Sequence, residues 1–484
     1  MHGSPGMRGT RSAQRGPQSA ELPPDRRSWA LLVVLSAAEF MVILDATVVN
    51  VALPAISRSL SFGPGDLQWV VTGYTLASGG LVLLGGRAAD LAGRRRIFLA
   101  GLALFTAASL ASGLAPAAGA LIAARAAQGV GAALLTPAAL SIITTSYASA
   151  QRAAALSIWG ALGGAGAAVG VLLGGVLTTW LGWRAVFLVN VPVGLVAGFA
   201  ALHLVPRAAA TVRRLRGLDL PGAVLEVGGL VTIVYALAGA PSHGWASAQT
   251  LLLLAAGVLA LAAFALVERR VSQPLVPPRT WRSRSLVAGI TVMFSATAIL
   301  VATFFLNSLF LQTGQGSSAL RVGLEFLPIA LVIGATAALA SHLLPRAGSR
   351  LLIVTGLTLM GGGALLLTLV SAGSGYLTGF LPGLLVIGAG TGLTLPATAV
   401  TAMSEVTDEH AGLASGLMTA AHEIGAALGV AVFSAVAVAT AGGITAGYTR
   451  GFAVAAAIAA GLAVIAAFLA PAVRPGPGVR VGVH

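Results

Sequence analysis

The chain has 484 residues, of which 57% are hydrophobic and only 9% are charged, and its mean hydropathy is +0.93. Soluble globular proteins carry roughly a quarter charged residues, so this composition predicts a polytopic membrane protein. The absence of cysteine excludes disulfides and thiolate metal sites. The absence of lysine excludes a phosphate-binding P-loop, so uphill transport by this chain would need an ion gradient or a partner protein.

The net charge of +14 comes entirely from arginine, since all 28 basic residues are of that type. These arginines lie mostly between apolar runs, where the positive-inside rule for membrane loops explains them. The charge therefore predicts a membrane topology, and nucleic acid is not expected as a partner.

Residues 1–28 are rich in glycine, proline, serine and arginine, which predicts a disordered cytoplasmic tail rather than a cleaved signal peptide. Apolar runs long enough to cross a bilayer then recur about 14 times. The predicted spans are 30–55, 67–85, 97–115, 119–145, 153–179, 185–205, 220–240, 249–267, 286–310, 322–344, 351–371, 377–402, 411–440 and 451–471.

The arginines also predict the orientation of these spans. With the amino terminus assigned to the cytoplasm, that side holds 23 arginines and the other side four. This bias favours an even number of spans with both termini in the cytoplasm. The four on the outer side are Arg58, Arg184, Arg321 and Arg450.

The sequence repeats itself at an offset of 259 residues, which superposes spans 4 and 5 on spans 12 and 13. Parallel six-span repeats with a substrate site between the halves describe a secondary transporter. The predicted domains are the tail at 1–28, a six-helix bundle at 29–205, two central helices with their loops at 206–285, a second six-helix bundle at 286–471 and a cytoplasmic tail at 472–484.

Two carboxylates lie within the first predicted span. Counted from Trp29 at ~1.5 Å per residue, Glu39 lies ~15 Å deep and Asp45 ~24 Å deep, in the outer half of the bilayer. A charge in hydrocarbon costs at least ~2.5–3.5 kcal/mol, so such residues usually face a cavity or a partner. Each carboxylate either carries a proton during transport or is held ionised by a cation that stabilises helix packing.

Arg125 is the one arginine deep in a predicted span, roughly 9 Å from the outer face, while Asp45 lies ~13 Å from the outer end of its own span. These depths predict an ion pair between Arg125 and Asp45, which is either structural or broken when Asp45 takes up a proton. Gln128 and Gly129 share the helix face of Arg125.

Glu423 lies ~18 Å into span 13, next to His422. Position 426 is alanine, so the pair does not begin an HExxH metalloprotease motif, and no metal site is predicted. Glu423 is instead a second candidate for binding a proton or a cationic substrate. Glu226 and Glu325 lie close to predicted span ends and rank below it.

The loop between spans 2 and 3 places Asp90 and a turn glycine before a run of arginines. Its arginines could simply hold the loop in the cytoplasm, whereas the lone acid suggests charge pairing that stabilises one conformation and is released in another. The residues assigned to this switch loop are Gly86, Asp90, Gly93, Arg94 and Arg95.

Together these stretches resemble the 14-span drug/proton antiporter family of the major facilitator superfamily. Residues 44–54 are similar to the span 1 signature of that family almost letter for letter. The switch loop matches the family pattern except for Ala88 in place of leucine, and Arg125, Gln128 and Gly129 match the span 4 pattern. Two further stretches, 183–194 and 411–416, are also typical of the family.

Two departures accompany this resemblance. The span 5 antiporter motif usually has a proline where this chain has Val171, which bears on the direction of transport. The Asn-Thr-x-Arg-Gln pattern usual after residue 416 is replaced by residues 419–423, which suggests a differently tuned binding cavity.

The resemblance implies an all-α major facilitator fold and proton-coupled export of amphipathic, often cationic, organic compounds across the cell membrane. It implies no enzyme activity, no cofactor, the proton gradient as energy source and a monomer as the expected state. Proton coupling is assigned to Asp45, Arg125 and Glu39, and the substrate cavity to Asn50, Gln128, His422 and Glu423.

Two alternatives to export stay open at this point. The same fold could take up a nutrient by proton coupling or facilitated diffusion. A membrane-embedded enzyme or a non-transporting scaffold lacks support, because no spacing of nucleophile and base or of metal ligands was found.

Overall fold

The computed structural model describes residues 26–63, 65–147, 149–206, 219–271, 274–407, 410–471 and 473. Over these residues the secondary structure is helical. The helices are α1 (Arg26–Leu60), α2 (Trp69–Ala92), α3 (Arg94–Gly113), α4 (Ala118–Ser146), α5 (Ser149–Trp180), α6 (Arg184–Leu188), α7 (Asn190–Leu204), α8 (Leu220–His243), α9 (Ala248–Glu268), α10 (Arg284–Leu309), α11 (Ala319–Glu325), α12 (Leu327–Ala347), α13 (Ser349–Leu367), α14 (Leu381–Met403), α15 (Ala411–Ala439) and α16 (Gly443–Leu469). Short helical turns also occur at Pro278–Arg282, Phe310–Gly314 and Tyr376–Phe380.

The predicted all-α fold of 14 apolar spans is confirmed. Thirteen helical stretches within the described residues are long and apolar enough to cross a bilayer, and α5 contains a further apolar segment, Ala168–Trp180. The pair α6 and α7 makes one crossing, as does the pair α11 and α12.

Several predicted boundaries differ from the observed ones. Helix α1 already begins at Arg26, so it includes the last residues of the predicted tail, and residues 1–25 lie outside the described part of the chain. Helix α16 begins at Gly443, which places Arg450 within a helix rather than in a loop. Arg450 is exposed, and a long arginine side chain near a helix end can reach the interface with water. Residues 207–218 and 474–484 are likewise outside the described residues.

The internal repeat is visible in the packing of the helices. Helix α1 packs on α5 as α10 packs on α15, and α2 packs on α4 as α12 packs on α14. Helix α3 packs on α4 and α7, and its counterpart α13 packs on α14 and α16. The chain therefore forms two similar halves, α1–α7 and α10–α16, with α8 and α9 paired between them along the chain.

The two halves meet where α1 contacts α10 and α11, where α2 contacts α15, and where α5 contacts α11 and α12. We name the end of the bundle where α1 begins the arginine-rich face and the end where α1 ends the opposite face. Gly79 allows α2 to lie against α15, because a Cβ at this position would be 2.6 Å from the Cβ of Glu423.

The glycine-rich helix α5 joins the first half to the second. A Cβ at Gly166 would lie 2.8 Å from the side chain of Ile43 on α1, and one at Gly174 would lie 2.7 Å from the Val48 carbonyl oxygen. On another side of α5, a Cβ at Gly175 would lie 2.8 Å from the Ala319 carbonyl oxygen of α11. Close packing accounts for these glycines, and a bending or sliding role for them stays a prediction.

Candidate functional site

The ion pair that the sequence predicts in the outer half of α1 is present. Arg125 on α4 donates a hydrogen bond from Nη1 to Oδ2 of Asp45 on α1. Asp45 is completely buried and Arg125 is 1% exposed. Two charges thus lie inside the first half, at a depth where each needs a partner.

Further contacts hold the Arg125 guanidinium in place. Its Nε donates to the Val70 carbonyl at 2.9 Å, and its Nη1 also donates to Oε1 of Gln128 at 2.9 Å. The guanidinium carbon lies 4.3 Å from the ring centroid of Tyr74 and 5.7 Å from that of Phe187, so cation–π attraction adds to the hydrogen bonds. Arg125 is therefore held by α1, α2, α4 and α6 together.

The second oxygen of Asp45 has a partner that the sequence analysis missed. Asn190, at the first position of α7, donates from Nδ2 to Oδ1 of Asp45 at 2.9 Å. The crossing is interrupted just before it, because Pro192 has no N–H to donate to the Leu188 carbonyl. An amide inside an apolar run, two residues before a proline, was the available signal for this partner.

Every oxygen of the buried Asp45 carboxylate is thus hydrogen-bonded, which is the condition under which a buried ion pair is tolerated. A proton on Asp45 would remove the Coulomb attraction to Arg125 but leave the bonds of Arg125 to Val70 and Gln128. The arrangement can therefore exist in two electrostatic states that differ by one proton.

Gln128 and Asn50, which the sequence analysis assigns to the substrate cavity, form hydrogen bonds within the first half in this conformation, and their role in binding cargo stays a prediction. Gln128 is fully buried, and its amide both accepts from Arg125 and donates to Ser109 Oγ at 2.8 Å. Asn50 is 6% exposed and donates from Nδ2 to the Ala46 carbonyl of its own helix at 3.2 Å. Because neighbouring helices cover both residues, neither presents an exposed amide between the halves in this conformation.

Glu39 is held apart from this ion pair. It is 7% exposed and accepts a hydrogen bond at 2.9 Å from Thr136 on α4. Glu423 lies where α15 meets α2. The contact between the two halves therefore places a carboxylate of the second half against a helix of the first half.

His422 points to a different neighbour from Glu423. Its Nδ1 lies 3.2 Å from the Thr297 hydroxyl of α10, so it bonds within the second half. No group of three histidine, aspartate or glutamate side chains that could hold a metal ion occurs among the residues that the structure describes.

The switch loop forms the turn between α2 and α3. Gly93 has a φ of 98°, a conformation that favours glycine, so this residue allows the two helices to follow each other directly. Arg95 donates from Nη2 to the Leu202 carbonyl of α7 at 2.6 Å. Asp90 is exposed, and within the described ranges it forms no ion pair with Arg94 or Arg95.

Glu325 belongs to the other ion pair seen in the described residues. Its Oε1 lies 2.9 Å from Nε of Arg321, whose side chain is 65% exposed. Ion pairs open to solvent contribute only about 0–1 kcal/mol, so this pair is suited to a structural role at the end of α11.

A family model described as Major Facilitator Superfamily matches residues 35–430. The chain is 45% identical to the puromycin resistance protein pur8 of Streptomyces alboniger, over 84% of this chain and 81% of that protein. It is 42% identical to the cephamycin export protein CmcT of Amycolatopsis lactamdurans, over 82% of each chain. It is also 33% identical to the tetracenomycin C resistance and export protein of Streptomyces glaucescens, over 83% of this chain and 74% of that protein.

Solved structures of low sequence identity share the fold. A bacterial homolog of the human lysosomal transporter Spinster matches with a TM-score of 0.61 and 17% identity, over 92% of this chain and 96% of that chain. The xylose transporter XylE from E. coli matches with a TM-score of 0.61 and 14% identity, over 91% and 96%.

Proposed function

The chain belongs to the Major Facilitator Superfamily, and from that premise we propose that it is a proton-coupled secondary transporter that exports small amphipathic organic compounds by alternating access. It is a multi-pass protein of the cell membrane that acts on a small-molecule substrate. The relatives named for antibiotic resistance or export support the outward direction.

The observation that carries the proposal is the buried pair of Asp45 and Arg125. A fully buried carboxylate beside one arginine changes its interaction with that arginine when it binds a proton, which is what coupling requires. Because α1, α2, α4, α6 and α7 all contact the pair, a change in its charge alters the packing of most of the first half.

The contacts between the halves at the opposite face bear on such a cycle. We assign the arginine-rich face to the cytoplasm from the arginine bias, so the contacts of α1 with α10 close the outer side. In the inward-facing step of the proposed cycle, the proton has left Asp45, the pair with Arg125 has formed, and cargo binds from the cytoplasm. After the halves rock, Asp45 takes up a proton from outside and cargo is released.

A carboxylate at the contact between the halves bears on the cargo. Glu423 lies where α15 meets α2, and its negative charge would attract a cationic group bound beside it. This supports amphipathic compounds with a positive charge as cargo. The proton gradient supplies the energy in this proposal, without a cofactor, and the monomer is the transporting unit.

Transport in inverted membrane vesicles tests the function directly. We expect vesicles energised with an inside-acidic proton gradient to accumulate a fluorescent amphipathic cation, and a protonophore to abolish the accumulation. Accumulation that persists without the gradient would contradict proton coupling. Accumulation only in right-side-out vesicles would favour the uptake alternative.

Asp90→Asn tests the switch loop. We propose that Asp90 pairs with Arg94 or Arg95 in the outward-facing state, so its loss slows the conformational change without touching the cargo site. The maximal export rate should fall about tenfold, while the equilibrium affinity for cargo changes less than about twofold. Asp66→Asn, an exposed acid on the opposite face, is the matched control and should change neither. Selective loss of affinity in Asp90→Asn would contradict this assignment.

A further inference from the structure

In the described part of the chain, two hydrogen bonds join α1 to the second half near the opposite face. Ser308 Oγ on α10 donates to the Asn50 carbonyl of α1 at 2.6 Å, and Gln312 Nε2 donates to the Val51 carbonyl at 2.8 Å. Gln312 also donates to Ser308 Oγ at 3.1 Å, which leaves the Ser308 proton directed at Asn50. We name this set of contacts the α1–α10 latch. All four residues are buried.

The Asn50 carbonyl is available to Ser308 because of Pro54. In an α-helix the carbonyl of residue 50 accepts from the N–H of residue 54, and proline has no N–H. Pro54 lies inside α1, so the Asn50 carbonyl lacks its partner within the helix. A buried carbonyl without a partner is unfavourable away from water, so it must find a donor elsewhere.

The prolines within α4 and α14 do not share this arrangement. Pro137 in α4 and Pro396 in α14 free the carbonyls of Ala133 and Gly392 in the same way. In the described part of the chain, neither of these carbonyls accepts one of the side-chain hydrogen bonds seen at Asn50.

We propose that Pro54 is a positioning residue that makes closure of the opposite face depend on Ser308. With the latch formed, Ser308 satisfies the carbonyl that Pro54 leaves free. When the halves separate at this face, water must replace Ser308 as the donor to the Asn50 carbonyl. The closed state is therefore stabilised by a hydrogen bond to a carbonyl that, without Pro54, would be bonded inside α1. The separation of 258 residues between Ser308 and Asn50 nearly equals the repeat offset, so the latch joins counterpart helices close to the axis that relates the halves.

A double-mutant cycle in the full-length chain tests this proposal. The chain has no cysteine, so spin labels can be placed at Ser59→Cys and Thr313→Cys, two exposed positions on either side of the latch, without background. Pulsed electron paramagnetic resonance in liposomes then gives the ratio of closed to open molecules at the opposite face. Loss of one hydrogen bond in Ser308→Ala should lower this ratio about fivefold.

The Pro54→Ala background distinguishes the proposal from a simple contact. In the Pro54→Ala background, the backbone N–H introduced at position 54 donates to the Asn50 carbonyl. Ser308→Ala should therefore lower the ratio of closed to open molecules by less than about twofold in this background. Ser308→Thr keeps the donor and should restore the parent ratio. Ser295→Ala is the matched control, since the Ser295 hydroxyl donates to the Thr291 carbonyl of its own helix, α10.

An unchanged ratio in Ser308→Ala would overturn the proposal. So would a decrease of the same size in the two backgrounds, or an equal decrease in Ser295→Ala. The measurement uses neither cargo nor a proton gradient, so its result is independent of whether the chain exports by proton coupling.

Discussion

Asp45→Asn should lower uphill export by on the order of 100-fold while the protein still reaches the membrane in normal amounts. Asparagine has nearly the shape of aspartate, and its oxygen can accept from Arg125. Its amide nitrogen can donate to Asn190 once the Asn190 amide turns its oxygen toward residue 45. Asparagine carries no titratable proton, so residue 45 stays neutral at every pH. The charge beside Arg125 then no longer changes during the transport cycle. Export against a gradient, measured in energised inverted vesicles, reports the loss.

Exchange without a proton gradient separates coupling from general damage. If Asp45 only carries the proton, the asparagine variant should still exchange labelled for unlabelled cargo across the vesicle membrane, and its rate should no longer depend on pH. Glu325→Gln is the matched control, because it also converts a buried carboxylate to an amide but lies at the end of α11 beside exposed Arg321. Near-normal uphill export by Asp45→Asn would refute the assignment.

The features that the sequence predicted well are those that depend on depth and repetition. The Asp45–Arg125 pair followed from counting residues along two spans, since 1.5 Å per residue places both groups at compatible levels. The matching helix contacts of the two halves followed from the 259-residue offset. Both rest on periodic geometry, which a sequence records directly.

The hydrogen-bond partners that could not be predicted from the sequence depend on helix rotation and on backbone atoms. Ser109 is one of many small polar residues in the spans, and only the rotation of α3 brings it to Gln128. The Val70 carbonyl has no signature in the sequence at all. Gln128 shares a helix face with Arg125, as the sequence predicts, and that closeness lets it accept a hydrogen bond from Arg125.

The observed contacts of the residues assigned to the substrate cavity have a related physical reason, and their role in binding cargo stays a prediction. A polar residue within a span forms hydrogen bonds with the nearest donor or acceptor. A neighbouring helix that packs closely often provides this partner, and the polar group is then not available to bind cargo. Asn50 bonds along its own helix, while Glu423 lies at a contact between the halves that no local pattern reveals. Which polar residues are left for cargo therefore depends on the contact between the halves.

Arg125→Ala should abolish export and also destabilise the protein, which sets it apart from the asparagine variant of Asp45. Removing one member of a buried ion pair typically costs about 3–5 kcal/mol, because the other charge is left buried with too few partners. Here Asp45 would keep only Asn190. Thermal unfolding in detergent, measured beside vesicle export, reports both effects.

Arg321→Ala is the control for the loss of an arginine from an ion pair, and because Arg321 is 65% exposed, its effect should stay within about 1 kcal/mol. Arg125→Lys should also export poorly, since an ammonium group cannot reproduce the guanidinium contacts with Asp45, Val70 and Gln128.

The neutral double variant Asp45→Asn, Arg125→Gln distinguishes a structural pair from a coupling pair. Both charges are gone, so neither is left buried alone, and most of the stability lost in Arg125→Ala should return. Uphill export should not return with it, because the site has lost both the group that binds the proton and the cation that responds to it. A double variant that is stable and exports normally would show that the pair only holds α1 against α4, and the proton would then have to be carried by another carboxylate, such as Glu39.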